Sequence, residues 1–67
     1  MDISEVKTVI RKRMPVIYDG IEYERVLNCV LWFDEHQRTF RYSLKLQDKN
    51  SRLSVAKAPM ENVKIKE

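Results

Sequence analysis

The chain has 67 residues and a mass of 8.1 kDa; 43% of its residues are hydrophobic and 34% are charged, with one glycine and two prolines. This composition excludes a disordered linker, and the length leaves room for a single domain over residues 1–67 with a small core, since such a chain buries only about 60% of its extended surface. No apolar run approaches the roughly 20 residues that cross a bilayer.

The formal net charge of +3 is unevenly distributed along the chain. Residues 1–13 carry a net charge of +2, residues 14–35 carry −4, and residues 36–67 carry +5. A basic segment of this kind favours contact with nucleic acid or with an acidic protein surface, although it is also typical of an ordinary solvated surface.

The cysteine content indicates the cellular compartment. Cys29 is the only cysteine, so no intramolecular disulfide can form, whereas a secreted domain of this size usually contains several. The first thirteen residues lack a basic start followed by an apolar run, and therefore do not predict a signal peptide. We expect a cytoplasmic protein.

The N-terminal segment predicts a helix over residues 2–13. Asp2 followed by Glu5 fits a capping box, in which each side chain accepts a hydrogen bond from the other residue's amide. Pro15 predicts the end of the helix. The apolar stripe of this helix consists of Ile3, Val6, Val9 and Ile10. Because an isolated helix of this length is marginal in water, the stripe must pack against the rest of the chain.

A β-hairpin is predicted directly after the helix. Asp19-Gly20 supplies the two positive-φ positions of a type I′ turn, and β-branched and aromatic residues flank it on both sides. Gly20 is the only glycine, so its position is explained by the backbone requirement of this turn.

The remainder of the chain predicts three further strands and the continuation of the hairpin. Residues 25–33 are apolar on both faces, which indicates a central or strongly bent strand. Residues 34–38 form a polar turn, and residues 39–47 alternate as a half-buried antiparallel strand. Residues 53–57 and 63–65 predict two short strands, separated by a turn over residues 59–62.

Placing Phe33 opposite Phe40 sets the register of the central hairpin. The predicted core face then pairs Phe33 with Phe40, Leu31 with Tyr42, Cys29 with Leu44, and Leu27 with Leu46. The other face pairs Trp32 with Arg41, Val30 with Ser43, and Asn28 with Lys45. Each strand thus has one face for the core and one face with mixed aromatic and cationic side chains.

Five short strands joined by short turns over residues 15–66 resemble the SH3-like barrel. The resemblance implies a five-stranded antiparallel, partly open barrel. The predicted N-terminal helix is an addition to that pattern, so we expect a mainly β fold in which this helix precedes the barrel. The acidic-aromatic signature of peptide-binding SH3 domains and the glycine-centred motif of ribosomal members are absent, so neither function transfers. The sequence also resembles small uncharacterised proteins of Gram-positive bacteria, which fits a cytoplasmic setting.

Residues for catalysis, cofactor binding or metal binding are scarce. His36 lies in a polar turn beside two carboxylates without a nucleophile, and Cys29 lies on the predicted core face, where it acts as a small hydrophobe. One Cys and one His do not suffice for a structural zinc site. We expect no enzyme, no cofactor and no metal.

The second face of the central hairpin is the candidate site. Trp32 offers a stacking surface beside the polar side chains of Asn28, Arg41 and Lys45, a combination that single-stranded nucleic-acid binders use. The flanking turns add Arg38, Lys49 and Arg52. The sequence therefore predicts a non-enzymatic binding module, associated with nucleic acid through this face.

Two alternatives stay open. The stripe of the N-terminal helix needs a docking surface, and the row of Val26, Val30 and Trp32 would supply one, which would bury Trp32. The second alternative is a protein-interaction module or small subunit that self-associates, since a short barrel has open strand edges and the chain carries complementary acidic and basic segments.

Overall fold

A computed structural model describes residues 1–51 and 53–67, with one N-terminal helix followed by a five-stranded antiparallel sheet. The elements are α1 (Ile3–Lys12), β1 (Val16–Tyr18), β2 (Ile21–Asp34), β3 (Thr39–Asp48), β4 (Val55–Pro59), a 3₁₀ turn (Met60–Asn62) and β5 (Val63–Ile65). The strand order is β4-β3-β2-β1-β5. The sheet is not closed, and β4 and β5 are its edge strands. Within the described residues, no helix has the length and apolar character needed to span a membrane.

Helix α1 forms because its local capping signals agree. The Glu5 amide donates to Asp2 Oδ1 at 2.8 Å, and the Asp2 amide donates to Glu5 Oε1 at 3.1 Å, which completes the predicted capping box. The helix ends at Lys12, because Arg13 adopts a left-handed conformation with a φ of 53°. Pro15 follows two residues later and prevents any extension.

The hairpin between β1 and β2 confirms the Asp-Gly prediction. Asp19 and Gly20 have φ angles of 54° and 75°, as a type I′ turn requires, and Tyr18 pairs with Ile21 across it. No atom lies within 4 Å of a Cβ built on Gly20, so glycine is needed there for its backbone angle alone.

The core lies between α1 and one face of the sheet. Val6 and Val9 of α1 are fully buried, and they cluster with Leu44 and Leu46 of β3, which are 0% exposed. The other members of this cluster are Val16, Val26, Ala58 and Val63. Because Leu44 and Leu46 point to the same face of β3, the helix covers that face.

The predicted register of the central hairpin is correct over most of its length. Six of the seven predicted pairs, from Phe33–Phe40 to Asn28–Lys45, lie where the sequence places them, and Asp34, predicted in the turn, extends the ladder by pairing with Thr39. Beyond Asn28 a bulge changes the pairing, so that Leu46 lies opposite Val26 and the predicted pairing with Leu27 is wrong. The extra residue lets β2 bend while Val26 joins the core.

The outer part of this hairpin, residues 31–42, extends beyond the other strands. β1 pairs with β2 only as far as Tyr23, and β4 pairs with β3 only from Ser43 onwards. We call residues 31–42 the β2–β3 arm. Among the described residues no third strand pairs with it.

The core prediction is wrong for the arm. Leu31 is 54% exposed, Phe33 48% and Phe40 66%. The reason is a difference in length, since the 10 residues of α1 span about 15 Å whereas the 10 residues of β3 span about 33 Å. The helix covers one half of the hairpin and leaves the apolar face of the other half in solvent.

Side-chain contacts give the arm a defined conformation. The rings of Phe33 and Phe40 pack edge to face with centroids 5.2 Å apart. Asp34 Oδ1 accepts hydrogen bonds from the amides of His36 and Gln37, at 2.9 and 3.1 Å, and Arg38 closes the turn with a φ of 54°.

The fourth strand is shifted from its predicted position. β4 covers Val55–Pro59 instead of residues 53–57, and Leu53 is 97% exposed in the preceding turn. Pro59 is tolerated because β4 is an edge strand, where a missing amide donor does not break a ladder between two partners.

Truncating a core side chain should lower the free energy of unfolding more than truncating an arm side chain. We expect Leu44→Ala to lower the free energy of unfolding by about 2–5 kcal/mol, because it leaves a cavity in the core. Phe40→Ala should cost about 1 kcal/mol, the value of an aromatic pair at an exposed site. Equal losses in chemical denaturation would contradict this arrangement of the core.

Candidate functional site

The face of the sheet opposite α1 presents its side chains in cross-strand rows. Asn28, Lys45 and Lys57 lie side by side on β2, β3 and β4. Val30, Ser43 and Pro59 form the next row, and Trp32 and Arg41 form the row after it. We call this surface the basic–aromatic face; it consists of Asn28, Val30, Trp32, Arg41, Ser43, Lys45 and Lys57.

Trp32 is held in place but remains accessible. Its Nε1–H donates to the Oγ of the buried Ser43 at 2.8 Å, and 39% of the residue is exposed. The Lys57 ammonium nitrogen lies 5.8 Å from the centroid of the indole ring, within the range of a cation–π interaction. The hydrogen bond fixes the indole orientation, which lowers the entropy cost of stacking a ligand on it.

Lys45 and Lys57 lie directly opposite each other on neighbouring strands. Two like charges at this position destabilise a sheet, since their side chains share one face. Within the described part of the chain, neither lysine forms an ion pair with a carboxylate. A bound anion would relieve this repulsion.

The charge of Arg41 is compensated within the protein. Its Nε lies 2.8 Å from Asp34 Oδ2, and its Nη1 donates to Glu61 Oε1 at 3.2 Å. The Nε–H is not directed at any acceptor, so the contact with Asp34 is an ion pair without a hydrogen bond. Arg41 therefore adds less net positive potential to the face than the sequence suggests.

The other predicted site residues do not join this face. Arg38 lies in the turn at the tip of the arm, seven residues from Lys45 and thus about 20 Å away along the strand. Lys49 follows the opposite end of β3 and binds Glu22 Oε2 at 2.9 Å. Arg52 lies outside the described residues. The structure brings together Trp32, Asn28, Lys45 and Arg41.

The interpretation in which the helix covers Trp32 is wrong. The buried residues of α1 contact the Leu44 side of the sheet, whereas Trp32 donates to Ser43 on the other side. Val30 is 49% exposed on this side. The basic–aromatic face is open because α1 packs on the opposite side of the sheet, where Val26, shifted by the bulge, also joins the core.

Lys57 is the member of the face that the sequence did not indicate. It belongs to β4, and its place beside Lys45 depends on the pairing of β3 with β4, which nothing in the local sequence specifies. A shallow depression of about 190 Å³ lies between these lysines and Val30. It is smaller than the roughly 300 Å³ of small-molecule pockets, so the face favours a ligand that lies flat upon it.

Groups with catalytic or metal-binding chemistry lie apart from this face. Burial raises the pKa of the Cys29 thiol, so this half-buried side chain is neutral near pH 7. Within the described residues, no three His, Cys, Asp or Glu side chains are grouped so as to hold a metal ion.

The chain matches no protein-family model, and neither curated proteins nor solved structures show a significant similarity to it.

Trp32 is the only tryptophan, so its fluorescence reports on the basic–aromatic face. We expect iodide to quench it more strongly than caesium, because Lys45 and Lys57 attract the anion and repel the cation. Exchanging both lysines for alanine should reduce the difference, whereas Lys7→Ala with Lys12→Ala on α1 should not. Protection of Trp32 from iodide would contradict an open face.

The contacts of Glu22 predict its titration. Lys66 Nζ lies 2.6 Å from Glu22 Oε1 and Lys49 Nζ lies 2.9 Å from Oε2, and these hydrogen bonds lower the pKa of Glu22 below its usual 4.5. The contacts stabilise the fold above the unfolded-state pKa and are lost as the pH falls through the lowered value. In an NMR titration, Lys66→Met should raise the pKa of Glu22; an unchanged value would exclude this contact in solution.

Proposed function

We propose that this protein is a non-enzymatic, cytoplasmic binding module that binds single-stranded nucleic acid on the basic–aromatic face. The observation that carries this proposal is the opposed pair Lys45 and Lys57, without carboxylate partners, beside the exposed ring of Trp32. The absence of a disulfide at the single Cys29 supports the cytoplasmic setting.

A single nucleic-acid strand satisfies both parts of this face. Phosphates compensate the repulsion between the two ammonium groups, and their binding releases counterions from the strand. A base stacks on the indole. This stacking contributes about 1–3 kcal/mol to the binding free energy and depends little on which base is stacked. Because the Lys57 ammonium lies over the ring, 5.8 Å from its centroid, a nucleotide bound at the indole also meets a cation.

An aromatic ring among the cations favours nucleic acid over an acidic protein segment. An acidic peptide would use the lysines but would leave the indole without a flat partner. Asn28, which is exposed in the same row as Lys45, adds an amide that can donate to and accept from a base edge.

The test compares matched charge variants on the two sides of the protein. Binding of fluorescent single-stranded RNA and DNA homopolymers is measured by anisotropy at several salt concentrations. Lys45→Ala with Lys57→Ala should weaken binding about tenfold or more and lower the salt slope by about 1.4, since each lost phosphate contact contributes about 0.7 for a single strand. Trp32→Leu should weaken binding by about 5–150-fold, the equivalent of one lost stacked base.

The control is Lys7→Ala with Lys12→Ala, which removes the same charge from exposed positions of α1. It should change the affinity by less than about twofold, because both positions lie on the helix that covers the opposite face. If the two double variants weaken binding equally, binding depends on the net charge of the protein and not on the basic–aromatic face. No measurable affinity for either homopolymer at low salt would exclude the proposed function.

We propose a second candidate function, a protein-interaction module that self-associates. The exposed apolar side chains of the β2–β3 arm favour it, since Leu31, Phe33 and Phe40 form an apolar surface of a kind that often marks an interaction site.

A further inference from the structure

The outer edge of β2 has no strand partner along most of its length. β1 pairs with β2 only over residues 21–23. From Glu24 to Asp34, no other strand among the described residues lies beside that edge. An open edge presents a row of backbone donors and acceptors that can pair with another strand. Natural edge strands are usually protected by charged side chains, Pro or bulges, and residues 28–33 of this edge contain no charged residue and no Pro.

Two irregularities define the part of this edge that can form a continuous ladder. The bulges lie between Tyr23 and Arg25 and between Val26 and Asn28. A bulge disrupts the local hydrogen-bond pattern, so a regular ladder starts only beyond it. We call the regular portion, residues 28–34, the free β2 edge.

The polarity of the free β2 edge is symmetric about its centre. Its sequence is Asn-Cys-Val-Leu-Trp-Phe-Asp, with a polar residue at each end and five apolar residues between them. The centre is Leu31, which is 54% exposed. The sequence therefore has the same polarity pattern in both directions, so an antiparallel pairing of two identical strands places apolar residues opposite apolar residues and polar residues opposite polar residues.

We propose that two copies of the protein pair antiparallel through the free β2 edge, about a twofold axis at Leu31. This inference specifies the interface of the second candidate function and rests on it. Leu31 lies opposite the partner's Leu31, Val30 opposite the partner's Trp32, and Cys29 opposite the partner's Phe33. Asn28 lies opposite the partner's Asp34, so polar ends meet polar ends.

Charge and burial both favour this arrangement. A parallel pairing in register would place Asp34 beside the carboxylate of the partner's Asp34, whereas the antiparallel pairing separates them by the length of the edge. On each face of the sheet the antiparallel pairing brings together apolar side chains that are otherwise exposed, including Val30 at 49% and Phe33 at 48%. The twofold axis closes the assembly at two copies, because it uses the same edge of each.

The dimer has a consequence for the basic–aromatic face. Pairing takes place at the edge of the sheet, so it does not cover Lys45 or Lys57. The two sheets join into one of ten strands, and the Trp32 side chains of both copies lie near the axis on the same face. A single nucleic-acid strand can then contact both copies, which raises its affinity by avidity.

The first test measures mass without nucleic acid. In sedimentation equilibrium from micromolar to millimolar concentration, the average mass should rise from 8.1 kDa towards twice that value. Leu31→Lys should abolish the rise, since it places two ammonium groups together at the axis. An unmodified protein that stays monomeric at millimolar concentration overturns both self-association and this interface.

The second test locates the axis. In a Cys29→Ser background, Leu31→Cys is compared with Ile21→Cys, because both positions are 54% exposed. Facing residues of an antiparallel ladder have Cα atoms about 4.5–5.5 Å apart, within the range that a disulfide bridges. We expect mild oxidation to cross-link most of the Leu31→Cys protein and little of the Ile21→Cys protein, with circular dichroism confirming that both are folded. If the protein dimerises but cross-links equally at both positions, self-association is confirmed and the proposed interface is wrong.

Discussion

The packing of α1 on the Leu44 and Leu46 side of β3 is the interaction on which the rest of this structure depends. It buries Val6 and Val9 completely and joins them to Leu44 and Leu46 in the one core cluster that the described part of this chain forms. A helix advances about 1.5 Å per residue and a strand about 3.3 Å, so ten residues of helix cover only half of a ten-residue strand. The projecting arm follows from this mismatch.

The same packing decides which face of the sheet remains open. With α1 on one side, the basic–aromatic face is left to solvent, and neither Lys45 nor Lys57 has a carboxylate partner among the described residues. A small domain has only a few kcal/mol of net stability, so a repulsive pair such as Lys45 and Lys57 is a noticeable cost. A ligand that provides negative charge would offset this cost, which is the physical basis of the proposed function.

The bulges of β2 connect the core to the two proposed surfaces. By shifting Val26 into the core, the bulge after it leaves Val30 and Trp32 on the open face, and it also sets the start of the free β2 edge. The edge would pair through the backbone amides and carbonyls of β2, whereas Lys45 and Lys57 of the face lie on β3 and β4 and would stay uncovered. Pairing at the edge would place two copies of the face side by side.

Local patterns in the sequence determined α1, the Asp-Gly hairpin, the alternation of β3 and the register around Trp32, because each depends on neighbouring residues or on one short turn. Three features came only from the tertiary structure. The exposure of the arm depends on how far α1 reaches, and the place of Lys57 depends on the pairing of β4 with β3. The compensation of Arg41 depends on Glu61, which is distant in sequence and arrives with the turn after β4. These contacts form between separate elements, so no single segment of the sequence carries the information that specifies them.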